Sequence, residues 1–415
     1  MQFLWNRATV CVFLGVVLQS FCSIRLGWLN QLLSNLSGEK FSLSYGVIFV
    51  HAWAVVTFFS RITGAYTLGR YAEARGFFTT QKILILGYII TTSLFLLYLL
   101  CVNDFYQIRP VILLLTYFNA FLLPATLILP AIYLMNVYSA SSHVKISMLI
   151  ILASLLGYAL SCAVSIDFSP LVISSIFCGS SFLCGLIYYL NRKSIGGLGA
   201  SKIREENKYH QTLPVYRAKR LAFLVGGVCG AGMTHNFFFT EPYLQNVTIV
   251  TFTSPKISSV IFFHLVLGVF LVFASKICDH VNLLKLMFAS LVGVLLVAAS
   301  LNVFGVSSTH TYILYQVLFS FFFAGFLAPS LALTFSLFEN NNPFFNSIFW
   351  YYSGISFSYL AGYFLSKELG FFNHYFLLKS PFIFLGIICI IAMAIELLRI
   401  RSFSKNTPSK PPNNT

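Results

Sequence analysis

Charged and titratable side chains are scarce in the apolar stretches of this chain, so each one there is a candidate for chemistry. Arg25, Arg61, His51, His235 and His264 stand inside such stretches, and Glu241 closes one. A cation held among apolar residues can bind an anionic or polar solute. A histidine or carboxylate there can take up and release a proton; His51, His235 and Glu241 are the candidates for that role. Structural alternatives stand beside these readings. Arg61 can snorkel toward water, and a histidine can sit neutral in a polar seam. A denser group runs from Arg61 to Phe77, RITGAYTLGRYAEARGF, where an apolar stretch gives way to a charged loop. Gly64, Gly69 and Gly76 allow close backbone approach, and Arg70, Glu73 and Arg75 carry both signs of charge. Such a loop can pair with a neighbouring helix end.

The elements that position these residues follow from composition. The chain has 415 residues, 58% hydrophobic and only 9% charged, with a mean hydropathy of +0.83. A water-soluble chain carries roughly a quarter charged residues, so the solvent of this one is lipid. About 20 apolar residues cross a bilayer, and twelve such runs occur: 8–32, 44–66, 82–102, 109–138, 145–166, 170–190, 219–241, 256–275, 284–304, 310–335, 345–366 and 377–398. Each is expected to be a helix, because lipid leaves open sheet edges without partners. The run after Arg7 is too long for a signal-peptide core and reads as a retained first helix.

Net charge is +15. In a membrane chain this reports loop orientation, and nucleic acid is not an expected partner. Nineteen of the 26 Lys and Arg residues fall in loops on the side of the N-terminus. Both termini are therefore expected in the cytoplasm, in the cell inner or plasma membrane. Residues 191–218 form a polar, basic linker between a first bundle, 1–190, and a second, 219–398, with a polar tail at 399–415. Asp279, in SKICDHVN, falls where a repeat of the Glu73 loop would lie.

The Arg61–Gly76 spacing resembles the loop between the second and third helices of major facilitator transporters. More narrowly it resembles the metabolite:proton symporter branch, which includes proline/betaine carriers. That branch has an arginine, glycines three and eight residues on, an acid at twelve and a glycine at fifteen. Gly64, Gly69, Glu73 and Gly76 fill those places after Arg61. Glu replaces the usual Asp, and Phe77 and Phe78 stand where the family has basic residues. In the first helix Gln19 and Cys22 replace two acids of the family, and in the fourth Asn119 and Ala120 stand without the family's Arg and Glu. GMTHNFFFTEPYLQ looks like the family's seventh helix.

The resemblance implies an all-α membrane protein with twelve transmembrane helices in two pseudo-symmetric six-helix halves. It implies alternating-access transport of a small polar metabolite, an osmolyte such as proline or betaine or an organic acid, with protons as a possible co-substrate. Gln19, Arg61, Trp53, Asn119, His235, Asn236 and Trp350 become the solute-contact candidates, the tryptophans as faces for a quaternary ammonium. Gly64, Gly69, Arg70, Glu73, Arg75, Gly76 and Asp279 become the gating set. Arg25 and Glu241, both near the outer mouth, are expected to pair as an outer gate. A monomer is expected, without cofactor, metal or enzymatic activity: no paired intramembrane acids, Ser/His/Asp set, His-rich cluster or P-loop occurs. Two alternatives stay open, an uncoupled facilitator or exporter and a non-transporting receptor or scaffold on a carrier fold.

Overall fold

A computed structural model of the chain describes residues 6–23, 43–101, 105–200, 214–238, 255–304, 308–368, 386–392 and 394–395. No strand occurs among the described residues. The helices are α1 (Arg7–Cys22), α2 (Leu43–Cys101), α3 (Phe105–Val137), α4 (His143–Asp167), α5 (Pro170–Leu190), α6 (Arg192–Ala200), α7 (Val215–Phe238), α8 (Pro255–Ile277), α9 (Leu283–Phe304), α10 (Thr309–Phe338), α11 (Pro343–Asn346) and α12 (Tyr352–Glu368). A π-helical turn, Ser347–Tyr351, makes α11 and α12 one continuous rod. A last helical piece covers 386–392. Each of the twelve apolar runs holds a described helical segment.

Several helix starts are written in the sequence. Asn6 caps α1 by accepting from the Thr9 amide, Ser169 caps α5 ahead of Pro170, and Ser308 with Thr311 forms a capping box on α10.

The 59 residues of α2 cannot be one straight rod, which would run ~88 Å and overshoot a hydrocarbon core of about 30 Å. The break is Gly76, whose φ of 77° is a left-handed value that glycine adopts without a side-chain clash. Gly64 lies in the arm before the break and Gly87 in the arm after it, at nearly equal distance from the bend. Gly64 presses on the backbone of Phe121, and Gly87 faces the side chain of the next residue, Leu122. The two arms therefore fold back to the same level and share α3 as their neighbour. Residues 54–101 hold two crossings rather than one.

Two other crossings depend on glycine. A side chain on Gly157 of α4 would fall on the Val17 carbonyl of α1, and one on Gly354 of α12 on the Phe223 carbonyl of α7. Both members of the second crossing lie about 200 positions after those of the first, so the contact is an internal repeat.

Apolar residues occupy both the interior and the outer surface. Phe319, Phe323, Phe326 and Phe335 of α10 are fully buried, while Leu86, Leu97, Leu100 and Leu296 are more than half exposed. An exterior this apolar suits lipid, and the chain is an integral, multi-pass membrane protein. Cys11, Cys22, Cys184, Cys229, Cys278 and Cys389 are buried among the helices as free thiols.

The segment expected as a polar linker begins with α6. Ile195 is buried, and its carbonyl accepts from the Tyr133 hydroxyl at 2.7 Å. Phe77 stacks on Tyr133 at 4.1 Å, with Phe78 edge-on at 5.7 Å. The two phenylalanines at the family's basic positions thus build an aromatic corner under α6.

Candidate functional site

The first part of the site is a clamp at the end of the molecule that carries Gly76. The Glu73 carboxylate accepts hydrogen bonds from the backbone amides of Phe344 at 3.0 Å and Phe345 at 3.2 Å. These amides begin the rod of α11 and α12, where unpaired N–H groups and the helix dipole favour an anion. Asn342, in a left-handed conformation (φ 47°), and Pro343 at the first helical position aim the rod's start at Glu73. Around the carboxylate the contact is aromatic. The Arg70 guanidinium lies 4.4 Å over the Phe345 ring, and Tyr66 meets Phe345 and Phe349 edge-on. Gly69 admits the rod, since a Cβ there would come within 3.3 Å of the Phe345 Cα. Arg75 is exposed beside the bend.

A second clamp repeats the first. Lys145 in the opening turn of α4 pairs with Asp279, in the turn between α8 and α9, at 2.9 Å. Asp279 follows Glu73, and Phe344 follows Lys145, by about 200 positions each. Beside Asp279, burial pushes the Cys278 thiol up to about 11.

The second part of the site lies ~18–22 Å along the helices from these clamps, by residue count. There the Arg61 guanidinium stands 4.7 Å over the Tyr359 ring of α12. Its Nε is buried without a hydrogen-bond partner, and among the described residues no carboxylate pairs with it. Asn119 is level with Arg61. The Ser60 hydroxyl donates to the Tyr117 carbonyl and Gly64 abuts Phe121, and these contacts bracket both residues. Asn119 is 2% exposed, and its Nδ2 has no partner. The Gln19 side chain is 2% exposed with both amide atoms unpaired. It lies on α1 where Gly157 crosses. The next residue, Tyr158, meets the His264 ring of α8 at 4.6 Å. Arg61–Tyr359 and His264–Tyr158 are again about 200 positions apart, member by member. On α10, Gln316 donates to the Tyr312 hydroxyl at 2.8 Å while its Oε1 is left unpaired.

Arg61 and Asn119 thus lie level with each other, Arg61 against α12, while Gln19 lies apart from them where α1 crosses α4. Trp350 is placed elsewhere: it lies in the π-helical turn against Ala218, Ala222 and Phe338, with Lys219 5.5 Å over its ring. His51 and Trp53 lie on α2, and His235 and Asn236 on α7, by backbone; their side chains lie outside the described residues. Arg25 and Glu241 also lie outside them. Sequence reasoning did not single out Tyr359, Tyr158, Gln316 or the Lys145 pairing. The signal for Tyr158 and Lys145 was the repeat offset, which applies to partners as well as to motifs.

No protein-family model matches the sequence, and no curated protein matches it. Solved structures do. The human organic anion transporter MFSD10 (TETRAN) superposes with a TM-score of 0.68 at 12% identity, over 93% of this chain and 99% of that one. The proton:xylose symporter XylE, bound to 6-bromo-6-deoxy-D-glucose, gives 0.69 at 13% identity, over 95% and 96%. The chain has the major facilitator fold. At these identities the likeness reaches the fold and not the proline/betaine branch. In that fold, the two clamps join the start of the fifth helix to the second half and the start of the eleventh to the first.

Proposed function

We propose that the protein is a secondary transporter that moves a small carboxylate-bearing metabolite by alternating access. The observation that carries this reading is Arg61: a membrane-level cation with a buried, unpaired Nε and no carboxylate partner among the described residues. A half-buried guanidinium without an acid is a bidentate receptor for a carboxylate. Proline, betaine and organic acids all carry that group. Asn119 and Gln19 add buried hydrogen-bonding atoms that the protein itself leaves unpaired. The Glu73 and Asp279 clamps serve as the gate at their end of the bundle, opening as the halves rock. The positive-inside bias puts that end in the cytoplasm. The reading makes the protein a carrier and not an enzyme, active as a monomer in the cell inner or plasma membrane.

A specific feature favours an uncoupled facilitator over a symporter. Gln19 is an amide at a position where the family has an acid, so it cannot carry a proton. Uptake of labelled proline, betaine and small dicarboxylates into proteoliposomes, with and without an inward proton gradient, separates these readings. Arg61→Gln should weaken the apparent affinity for whichever solute is carried by about 10- to 100-fold.

A further inference from the structure

Away from both parts of the site, α8, α9 and α10 enclose a groove that opens on the lipid-facing surface, with about 180 Å³ of free space. Phe270, Phe273 and Ile277 of α8 form one wall, and Phe321 and Phe322 of α10 the other. Small residues make the floor. Ala289 and Ser290 of α9 face Gly325 of α10, where a Cβ would fall on the Ser290 hydroxyl. Phe322 lies over Gly293 of α9, where a Cβ would fall on its ring. Phe273, Ile277 and Phe321 stand 53%, 42% and 45% exposed around the opening.

The helix ends next to this groove carry basic residues. Ile277 and Leu286 line the groove, and their sequence neighbours Lys276 and Lys285 are both exposed. The acid of the intervening turn, Asp279, is already engaged by Lys145 at 2.9 Å. The α8–α9 turn therefore presents two lysines with no local counter-charge of its own, beside an apolar slot. The apolar lining suits an acyl chain, and the lysines of the adjoining turn suit a phosphate headgroup.

We infer that this groove is a binding site for an anionic phospholipid, one acyl chain lying between α8 and α10 and the headgroup held by Lys276 and Lys285. Such a lipid would sit against the turn that carries Asp279, so its occupancy would bear on the second clamp.

The test is native mass spectrometry of the delipidated full-length protein, titrated with phosphatidylglycerol or with phosphatidylcholine of the same chains. Two lysines at a headgroup predict about a 30-fold preference for the anionic lipid. Lys276→Gln with Lys285→Gln should erase most of it, and Lys276→Arg with Lys285→Arg should keep it. Ala289→Trp, which fills the groove, should weaken both lipids. Equal binding of the two lipids by the unaltered protein overturns the inference. So does a preference that survives the double glutamine variant, or binding indifferent to Ala289→Trp. Identical elution in size exclusion establishes that each variant is folded.

Discussion

Glu73 and Phe344, 271 positions apart, are joined by a 3.0 Å hydrogen bond from the Phe344 amide to the Glu73 carboxylate. It ties the loop between two crossings of the first half to the start of a rod in the second. A bond of this kind, charged and set on a helix terminus, contributes about 2 kcal/mol. Removing it should release the clamp. With Ser347→Cys, a position 1% exposed, as the sole cysteine, Glu73→Ala should raise maleimide labelling about 30-fold. Glu73→Gln should fall between the two. Unchanged labelling would show that the aromatic contacts of Tyr66 and Phe345 hold this end without the carboxylate.

Lys145 and Asp279 should matter less, because both are partly exposed and screened. The pair contributes about 0.5–1 kcal/mol. With Cys278 as the only cysteine, labelling should be slow at neutral pH, since burial holds the thiol protonated up to about 11. Reaction should rise only as pH climbs toward that value. Lys145→Ala should speed it severalfold by loosening the turn. The exchange Lys145→Asp with Asp279→Lys should restore the slow rate.

Gly354 and Gly76 test different costs. Gly354→Val drives a side chain into the Phe223 carbonyl, which backbone cannot yield, and should abolish folded protein in detergent. Gly76 has open space around its Cβ position but a φ of 77°. With its ψ of 176° this is a conformation nearly confined to glycine, so Gly76→Ala should fold but lose about 1–3 kcal/mol, visible as a drop in melting temperature.

Much of the fold was legible because lipid imposes a length. Each apolar run holds a helix, and the bend falls on Gly76 at the end of the motif. The repeat of the acid at Asp279 was also legible, and it led to the second clamp. The π-helical turn was not legible: SIFWY is an ordinary apolar stretch, and the close approach of Gly226 to the Tyr351 carbonyl arises only in packing. Nor was the packing of Trp350 on Ala218, Ala222 and Phe338. Nor was α6 legible, because RKSIGGLGA is glycine-rich. It is held by Tyr133, Phe77 and Phe78 rather than by its own propensity. The Arg61–Tyr359 contact joins residues far apart in the chain, and only packing brings them together.

Tyr359 gives Arg61 its place. Tyr359→Leu removes a half-buried cation–π contact of about 1 kcal/mol. It should weaken the apparent affinity for the transported solute several-fold, leaving the maximal rate near its original value. Tyr359→Phe should behave like the parent. Equal loss in both would mean that the hydroxyl, and not the ring, is what Arg61 needs nearby.

The central claim is that Arg61 receives the carboxylate of a transported solute. The direct measurement is uptake of pooled labelled proline, betaine and small organic acids into proteoliposomes containing the purified protein or its Arg61→Gln variant. Saturable uptake is expected for the unaltered protein, with a loss of about 10- to 100-fold in apparent affinity in the variant, the cost of a charge-assisted pair. Equal uptake by the two proteins would contradict it, as would transport confined to solutes without a carboxylate.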